Sequence, residues 1–492
     1  MKVNWDKIGH VCFRGWSLLD RSITDACVRS RRRGVALLMV MTYVVILTAT
    51  VVSGFMNSQV SFSISANNRD ELKAYYNART AMNLGRLLLT YQYELEKDDF
   101  FGTRIRRSNF QMYQILDLIL TPFKTGVMSV DVPGMSTIAS FDLREAGVEA
   151  MGDESGNYDV KVFPEAGRIN INQFASSVSQ AKLYEMCMLF SSTRYDYLFN
   201  TAGEDPNKLT RMEQLGAILD WMDTDSDRFQ LDKDCTIEEA NGDEDGLYTR
   251  DRSKKYEVKN AKFTTVDELF EVVGIGDDFM EEFRESLTVY PIDKVNVNLA
   301  NAKVLYSTLC NAATDETSSS SSKKSKDEEK YWACADEQMA SRLLMLAMAL
   351  EGYQQFVLNP LNLLYLYVSQ GQASVIPNVV PNGTIIPFRS TREFYNVIEA
   401  LIKDNAMMEQ FMMYSPTAYL LMRDKIMTLS LASFNMSSLT FDTKQLYANI
   451  TTASPRVFRV VAVGEYGGTR RTLTAVIDFN VTGGQYLYWR EN

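Results

Sequence analysis

From Val35 to Asn68 the chain carries no charged residue, and the three residues before Gly34 are all arginine. No other feature constrains the fold as strongly. Val35 to Phe55 forms a helix of about 31 Å at roughly 1.5 Å rise per residue, enough to cross the hydrocarbon of a bilayer. Basic residues on the preceding flank hold that side in the cytoplasm by the positive-inside tendency, which sends everything after Phe55 outward. Three readings fit this segment. One is a secretory signal peptide, for which the best exit is Val51-Val52-Ser53. The second is an uncleaved signal anchor. The third is a leader cut after the glycine at the boundary between basic and apolar stretches, and it alone gives Gly34 a reason to stand there.

The charge of the chain is divided in the same place. Formal net charge is −11, yet residues 1–34 hold eight basic residues (Lys2, Lys7, Arg14, Arg21, Arg29, Arg31, Arg32, Arg33) against Asp6, Asp20 and Asp25. The body beyond them is therefore more acidic than the whole, and it repels phosphate backbones, so nucleic acid is not an expected partner. The single histidine, His10, is inside the basic segment. With that segment removed, Ser-His-Asp and Cys-His catalysis and His-ligated zinc are excluded, and no enzyme is expected. Cysteines stand at 12, 27, 187, 235, 310 and 334. The economical pairing of the last four in an oxidising compartment is Cys187–Cys235 and Cys310–Cys334, with unpaired buried thiols as the alternative.

Beyond the apolar stretch the helix should continue to about residue 95. Ala74, Ala78, Ala81 and Gly85 form a stripe of small residues, and Leu84, Leu87, Leu88 and Tyr91 gather on a second face. The stripe suits packing on the chain's own domain, and also close packing among neighbouring helices. A further helix is expected over 109–120. Period-two alternation predicts strands at Tyr158–Phe163 and Ile138–Leu143, and a hairpin of Arg456–Val463 with Arg471–Phe479 around a glycine-rich turn, Gly464–Thr469. The long stretch between these strand zones is mostly helical in pattern. The expected architecture is α+β: a long N-terminal helix plus a small antiparallel sheet, interrupted by a large helical insertion, with separate tandem domains as the alternative. Glu316–Lys330, with its serine run, is too polar to fold and reads as a loop at about 315–330.

The arrangement Arg31-Arg32-Arg33-Gly34 followed by Val35-Ala36-Leu37-Leu38-Met39 resembles the type IV prepilin and pseudopilin signal. The resemblance implies cleavage by a prepilin peptidase between Gly34 and Val35, and N-methylation of Val35. Most relatives carry glutamate as the fifth residue after the cut. Here Met39 stands in its place, as in the K-type minor pseudopilins of type II secretion systems. Gly167-Arg-Ile-Asn-Ile-Asn172 resembles the segment leading into that family's helical domain, Asp220-Trp-Met-Asp-Thr-Asp225 its acidic tryptophan motif, and Asp243-Glu-Asp-Gly-Leu-Tyr248 a following acid-acid-aromatic motif from which Gly246 departs; Val266–Gly276 and Val295–Leu305 are similar to its sterile-alpha-motif-like helical portion. The likeness is weak over 311–390.

On this resemblance the organisation is a cytoplasmic leader (1–34), an N-terminal helix (35–95, transmembrane over 35–55), a pilin-like α+β domain (96–172 and 455–492) and a helical insertion (173–454). The implied role is non-catalytic. It is a tip subunit of the type II secretion pseudopilus that helps initiate assembly, in the inner membrane by one pass with a periplasmic domain. Its partners would be other minor pseudopilins, the prepilin peptidase and the inner-membrane secretion platform. A minor pilin-like subunit of another type IV filament system is the alternative.

One dense group of functional side chains stands out: Asp220, Asp223, Asp225, Asp227, Asp232, Asp234, Glu238, Glu239, Asp243, Glu244 and Asp245. Carboxylate oxygens at this density suit calcium, which takes six to eight oxygen ligands. The spacing does not satisfy the EF-hand pattern. The resemblance also implies calcium, and the candidate ligands are Asp223, Asp225, Asp227, Asp243, Glu244 and Asp245. Val266–Gly276 has the glycine turn of a helix-hairpin-helix unit, but Asp277, Asp278, Glu281 and Glu282 beside it oppose phosphate. Gly274-Ile-Gly276 also lacks the Lys-Ser/Thr of a phosphate loop.

Overall fold

The computed structural model describes residues 33–97, 111–116, 127–130, 139–142, 156–175, 179–200, 208–232, 235–238, 242–248, 257–315, 334, 337–358, 387–423, 436 and 439–492. Two compact units result, Met1–Leu72 and Lys73–Asn492.

In the first unit the described residues are all helical, the beginning of α1 (Arg33–Lys97). Its apolar side chains face outward without cover, with Phe55 64% and Phe62 77% exposed. It is the one helix among the described residues long and apolar enough to cross a membrane. The hydroxyls of Thr42, Thr48 and Thr50 donate back to the carbonyls of Met39, Val44 and Leu47 at 2.9, 2.6 and 2.8 Å. Those hydroxyls are thus satisfied inside the helix, which a hydrocarbon environment requires.

In the second unit the remainder of α1 lies on a four-stranded antiparallel sheet. Its strands are β1 (Gly156–Pro164), β2 (Val457–Tyr466), β3 (Thr469–Asp478) and β4 (Gln485–Glu491), in the order β4-β3-β2-β1. Alternation sends Phe458, Val460, Ala462, Leu473, Ala475 and Ile477 towards α1, where they share one core with Ala78, Ala81, Met82, Leu89 and Tyr93. The expected α+β class is the one found.

The small-residue stripe of α1 is consumed by this contact. Ala74, Ala78 and Ala81 have no exposed surface. A Cβ on Gly464 would collide with the Ala74 carbonyl and the Ala78 amide, and one on Gly85 would come within 3.1 Å of Val160. The stripe therefore serves the chain's own sheet and is closed to neighbouring helices. Of the second face, Leu84 and Leu88 are partly buried against the same core, while Leu87 and Tyr91 point outward at 59% and 60% exposure. The hairpin turn is also tighter than its composition suggests. Tyr466 pairs with Thr469, so the turn is only Gly467-Gly468, both at positive φ (56° and 84°). Gly464 belongs to the strand, where its missing side chain admits α1.

The chain leaves the sheet after Pro164 and returns at Val457, and the helical insertion lies between. It joins the insertion before residue 173, since Ile169 and Ile171 are already in the insertion's core. Ile169–Asn170 pairs in parallel with Leu287–Thr288 there. The main helices are α2 (Gln180–Phe190), α3 (Arg211–Asp220), α4 (Ala302–Ala312), α5 (Glu337–Leu358), α6 (Thr391–Lys403) and α7 (Asn405–Met412). A Cβ on Gly352 of α5 would collide with the Phe411 carbonyl of α7, which sets their close crossing. The buried Glu351 carboxylate accepts from Ala302 N at 3.0 Å, from the Ser415 hydroxyl and from Thr417, so it ties α4 to the end of α7. Val457, Val476 and Tyr488 join the insertion's core from the sheet's other face.

Within 109–120 the described part is a 3-10 turn, Met112–Ile115. The strand expected at 138–143 is found as Ala139–Asp142, paired with Val127–Val130. Residues 1–32 of the expected leader 1–34, with His10, Cys12 and Cys27, and residues 316–330 of the expected loop at about 315–330 lie outside the described residues.

Candidate metal centre

The motifs shared with the helical portion of the resembled family act first as staples. The Asn172 side chain accepts from Phe263 N and donates to the carbonyls of Phe263 and Val289, all at 2.8 Å. Asn298 brackets Phe388 in the same way at 2.8 and 2.9 Å. Trp221 donates its indole N–H to Glu268 at 3.0 Å and stacks on Phe263. Each amide or indole satisfies a loop that has no ladder of its own.

That scaffold holds two acidic loops together. Helix α3 opens with a capping box, Thr210 with Glu213, and ends at Asp220. The Asp220 carboxylate accepts from Phe229 N at 2.7 Å and so closes the 221–229 loop onto the helix end. Asp225 accepts from Asp227 N at 2.9 Å inside that loop. Asp227 then bridges Asp243 in a single antiparallel pair, and Arg228 N donates to the Gly242 carbonyl at 3.2 Å. In the second loop Asp243 accepts from Asp245 N at 3.2 Å, and Asp245 accepts from Val258 N at 3.1 Å. A disulfide between Cys187 and Cys235, Cα atoms 6.6 Å apart, ties α2 to the hairpin that follows the first loop. Cys310 and Cys334 are bonded likewise, at 5.7 Å.

The outcome is that Asp220, Asp223 and Glu244 bring carboxylate oxygens within 4.8 Å of one another. Asp220 is 1% and Glu244 2% exposed. Both oxygens of Asp223 and Oε1 of Glu244 are buried with no hydrogen-bond donor from outside the cluster among the described residues, and so is Oδ1 of Asn260, whose amide donates to the Asp225 carbonyl. Burial pushes Asp220 up to about 7, opposed by the Phe229 amide and reinforced by the Asp223 charge. Burial and then the Asp225 charge push Asp223 to about 7. Burial and the charges of Asp223 and Asp220 carry Glu244 to about 8. Three carboxylates this close and this dry cannot all stay ionised alone, so a proton or a cation must neutralise them. The donors are hard oxygens, which fit calcium or magnesium.

Of the six candidate ligands named from the sequence, Asp223 and Glu244 meet in this cluster. Asp225, Asp227 and Asp243 are exposed and, with Asp245, shape the loops around it. Asp232 accepts from Thr236. Asp220, which belongs to the acidic stretch but not to the candidate ligands, is the third member, and it is the last residue of α3. Its i, i+3 spacing to Asp223 is the signal that places both on one side. In the first unit, Gly34 and Val35 lie in the first turn of α1, and Met39 is 64% exposed.

No protein-family model matches the chain, and no curated protein does. Among solved structures the chain is similar to one from the GspK-GspI-GspJ complex of the enterotoxigenic Escherichia coli type 2 secretion system. Identity is 11% and the TM-score 0.41, over 87% of this chain and 99% of that one.

Proposed function

We propose that the protein is a K-type minor pseudopilin of a type II secretion system, a non-catalytic subunit at the tip of the pseudopilus. The observation that carries the reading is the N-terminal segment. A glycine stands between an arginine run and an uncharged helix, an apolar residue replaces the usual acid at Met39, and the same helix continues onto a small antiparallel sheet. In filaments of this kind the glutamate after the cut pairs with the terminal amine of a neighbouring subunit. Met39 cannot make that pair, which suits the first position in an assembly. An insertion as large as 165–456 fits a cap better than a repeating shaft.

In this reading the chain enters the inner membrane with its leader in the cytoplasm and its body in the periplasm. A prepilin peptidase cuts between Gly34 and Val35 and methylates Val35. Other minor pseudopilins and the inner-membrane platform are its partners. Asp220, Asp223 and Glu244 would hold a calcium ion, whose charge neutralises the cluster and locks the 221–229 and 242–248 loops together.

Mass spectrometry of the protein from membranes tests the class directly. The expected mature chain begins at a methylated Val35, and an intact leader would overturn the assignment.

A further inference from the structure

The two acid-bearing loops of the metal centre are separated in the chain by a short hairpin, Gln230–Leu231 with Ile237–Glu238. Asp223 precedes it and Glu244 follows it. The hairpin has little apolar anchorage of its own: Leu231 is buried, while Gln230, Ile237 and Glu238 are exposed. Asp232 closes it internally, accepting from the amide and hydroxyl of Thr236 at 2.8 and 2.6 Å. Its main tie to the helices is Cys235. That residue is fully buried and bonded to Cys187 of α2, and its carbonyl accepts from the Gln180 side chain at 2.7 Å. Its backbone is left-handed, at a φ of 53°, which residues with a Cβ seldom adopt.

Asp220, Asp223 and Glu244 repel one another when ionised, and with no cation between them that repulsion pushes the two loops apart. The single pairing of Asp227 with Asp243 opposes the separation, but both residues are exposed. A cross-link in the hairpin between the loops restricts their movement before a cation arrives, which lowers the ordering cost of binding. The bond forms when the two thiols lose two electrons and two protons to a disulfide oxidant, which is reduced to a pair of thiols. With Cys187 2% and Cys235 0% exposed, the closed bond is shielded from thiolate attack.

We propose that the Cys187–Cys235 bond preorganises the cation site, so that oxidation of these two thiols precedes calcium binding. The inference rests on the reading of Asp220, Asp223 and Glu244 as a calcium site. The test uses the full chain in detergent, titrated with calcium in a calorimeter. Cys187→Ser with Cys235→Ser should weaken affinity about tenfold. Cys310→Ser with Cys334→Ser, the control for a general loss of stability, should leave affinity unchanged. No weakening in the first pair, or equal weakening in both, would overturn the proposal. A second measurement does not depend on the variants folding. Reduced, unfolded wild-type chain is refolded with glutathione disulfide, its free thiols are trapped by alkylation at intervals, and the fractions are sorted by mass spectrometry. Fractions without the Cys187–Cys235 bond should bind calcium weakly, and wild-type affinity in such a fraction would refute the order. If the oxidised wild type takes up no calcium, the metal-centre reading itself fails, and the first titration shows this before any variant is made.

Discussion

The contact of α1 with the sheet and the acidic centre of the insertion are built by opposite means. The first brings backbones together by omitting side chains: Ala74, Ala78 and Gly85 on the helix, Gly464 on the strand. The second gathers charged side chains and leaves several of their oxygens without a donor from outside the cluster among the described residues. A contact made of missing atoms is complete as it stands and tolerates no addition. A cluster of buried carboxylates is incomplete, and its stability depends on what else is in solution.

The largest expected effect breaks the first region. Gly464→Val puts a branched side chain against the Ala74 and Ala78 backbone, which cannot retreat without lifting α1 from the sheet. The cost should be about 3 kcal/mol or more, read by urea denaturation. Hydrogen exchange should rise in α1 and the four strands before it rises in α5. Gly246→Ala, where a Cβ meets nothing within 4 Å, is the matched control and should stay within about 0.5 kcal/mol. Equal losses in the two variants would contradict the account of the stripe.

A smaller effect sharpens the contrast through solution conditions. Asp220, Asp223 and Glu244 have folded-state pKa values raised above an ordinary carboxyl. The stability tied to their protons is therefore fully present below about pH 4 and is lost as pH climbs through 7 to 8. In chelator the melting temperature should fall across that window, by on the order of 5 °C. Calcium added at pH 8 should restore it, and Asp223→Asn should flatten the dependence. A melting temperature indifferent to both pH and calcium would sink the metal centre. The smallest effect concerns the helix that delivers Asp220. Thr210→Ala removes the capping box of α3 and should cost about 1 kcal/mol, with calcium sensitivity retained.

How much of this was legible beforehand follows from the range of each interaction. The alternation in Tyr158–Phe163 and in the two C-terminal strands is a local pattern, and it predicted three of the four strands. β4 escapes that pattern because Tyr486, Leu487, Tyr488 and Trp489 stand in a row, so Gln485–Glu491 shows no alternation. Alternation marks the hairpin, whose turn is Gly467-Gly468 rather than the whole of Gly464–Thr469. A glycine in a strand and a glycine in a turn look alike until the neighbour that requires the absent side chain is known. The acid-rich stretch was visible as composition, yet only Asp223 and Glu244 of its candidate ligands share the cluster.

What the sequence determined by itself is the uncharged helix with Gly34 at its start and Met39 within it, and the α+β class. These depend on hydrophobicity and period, which act over a few residues. Tertiary structure alone decided that the small-residue stripe faces the chain's own sheet, and that Asp220 joins Asp223 and Glu244. Each of those depends on which distant segments come within a few ångströms, and local periodicity carries no information about that.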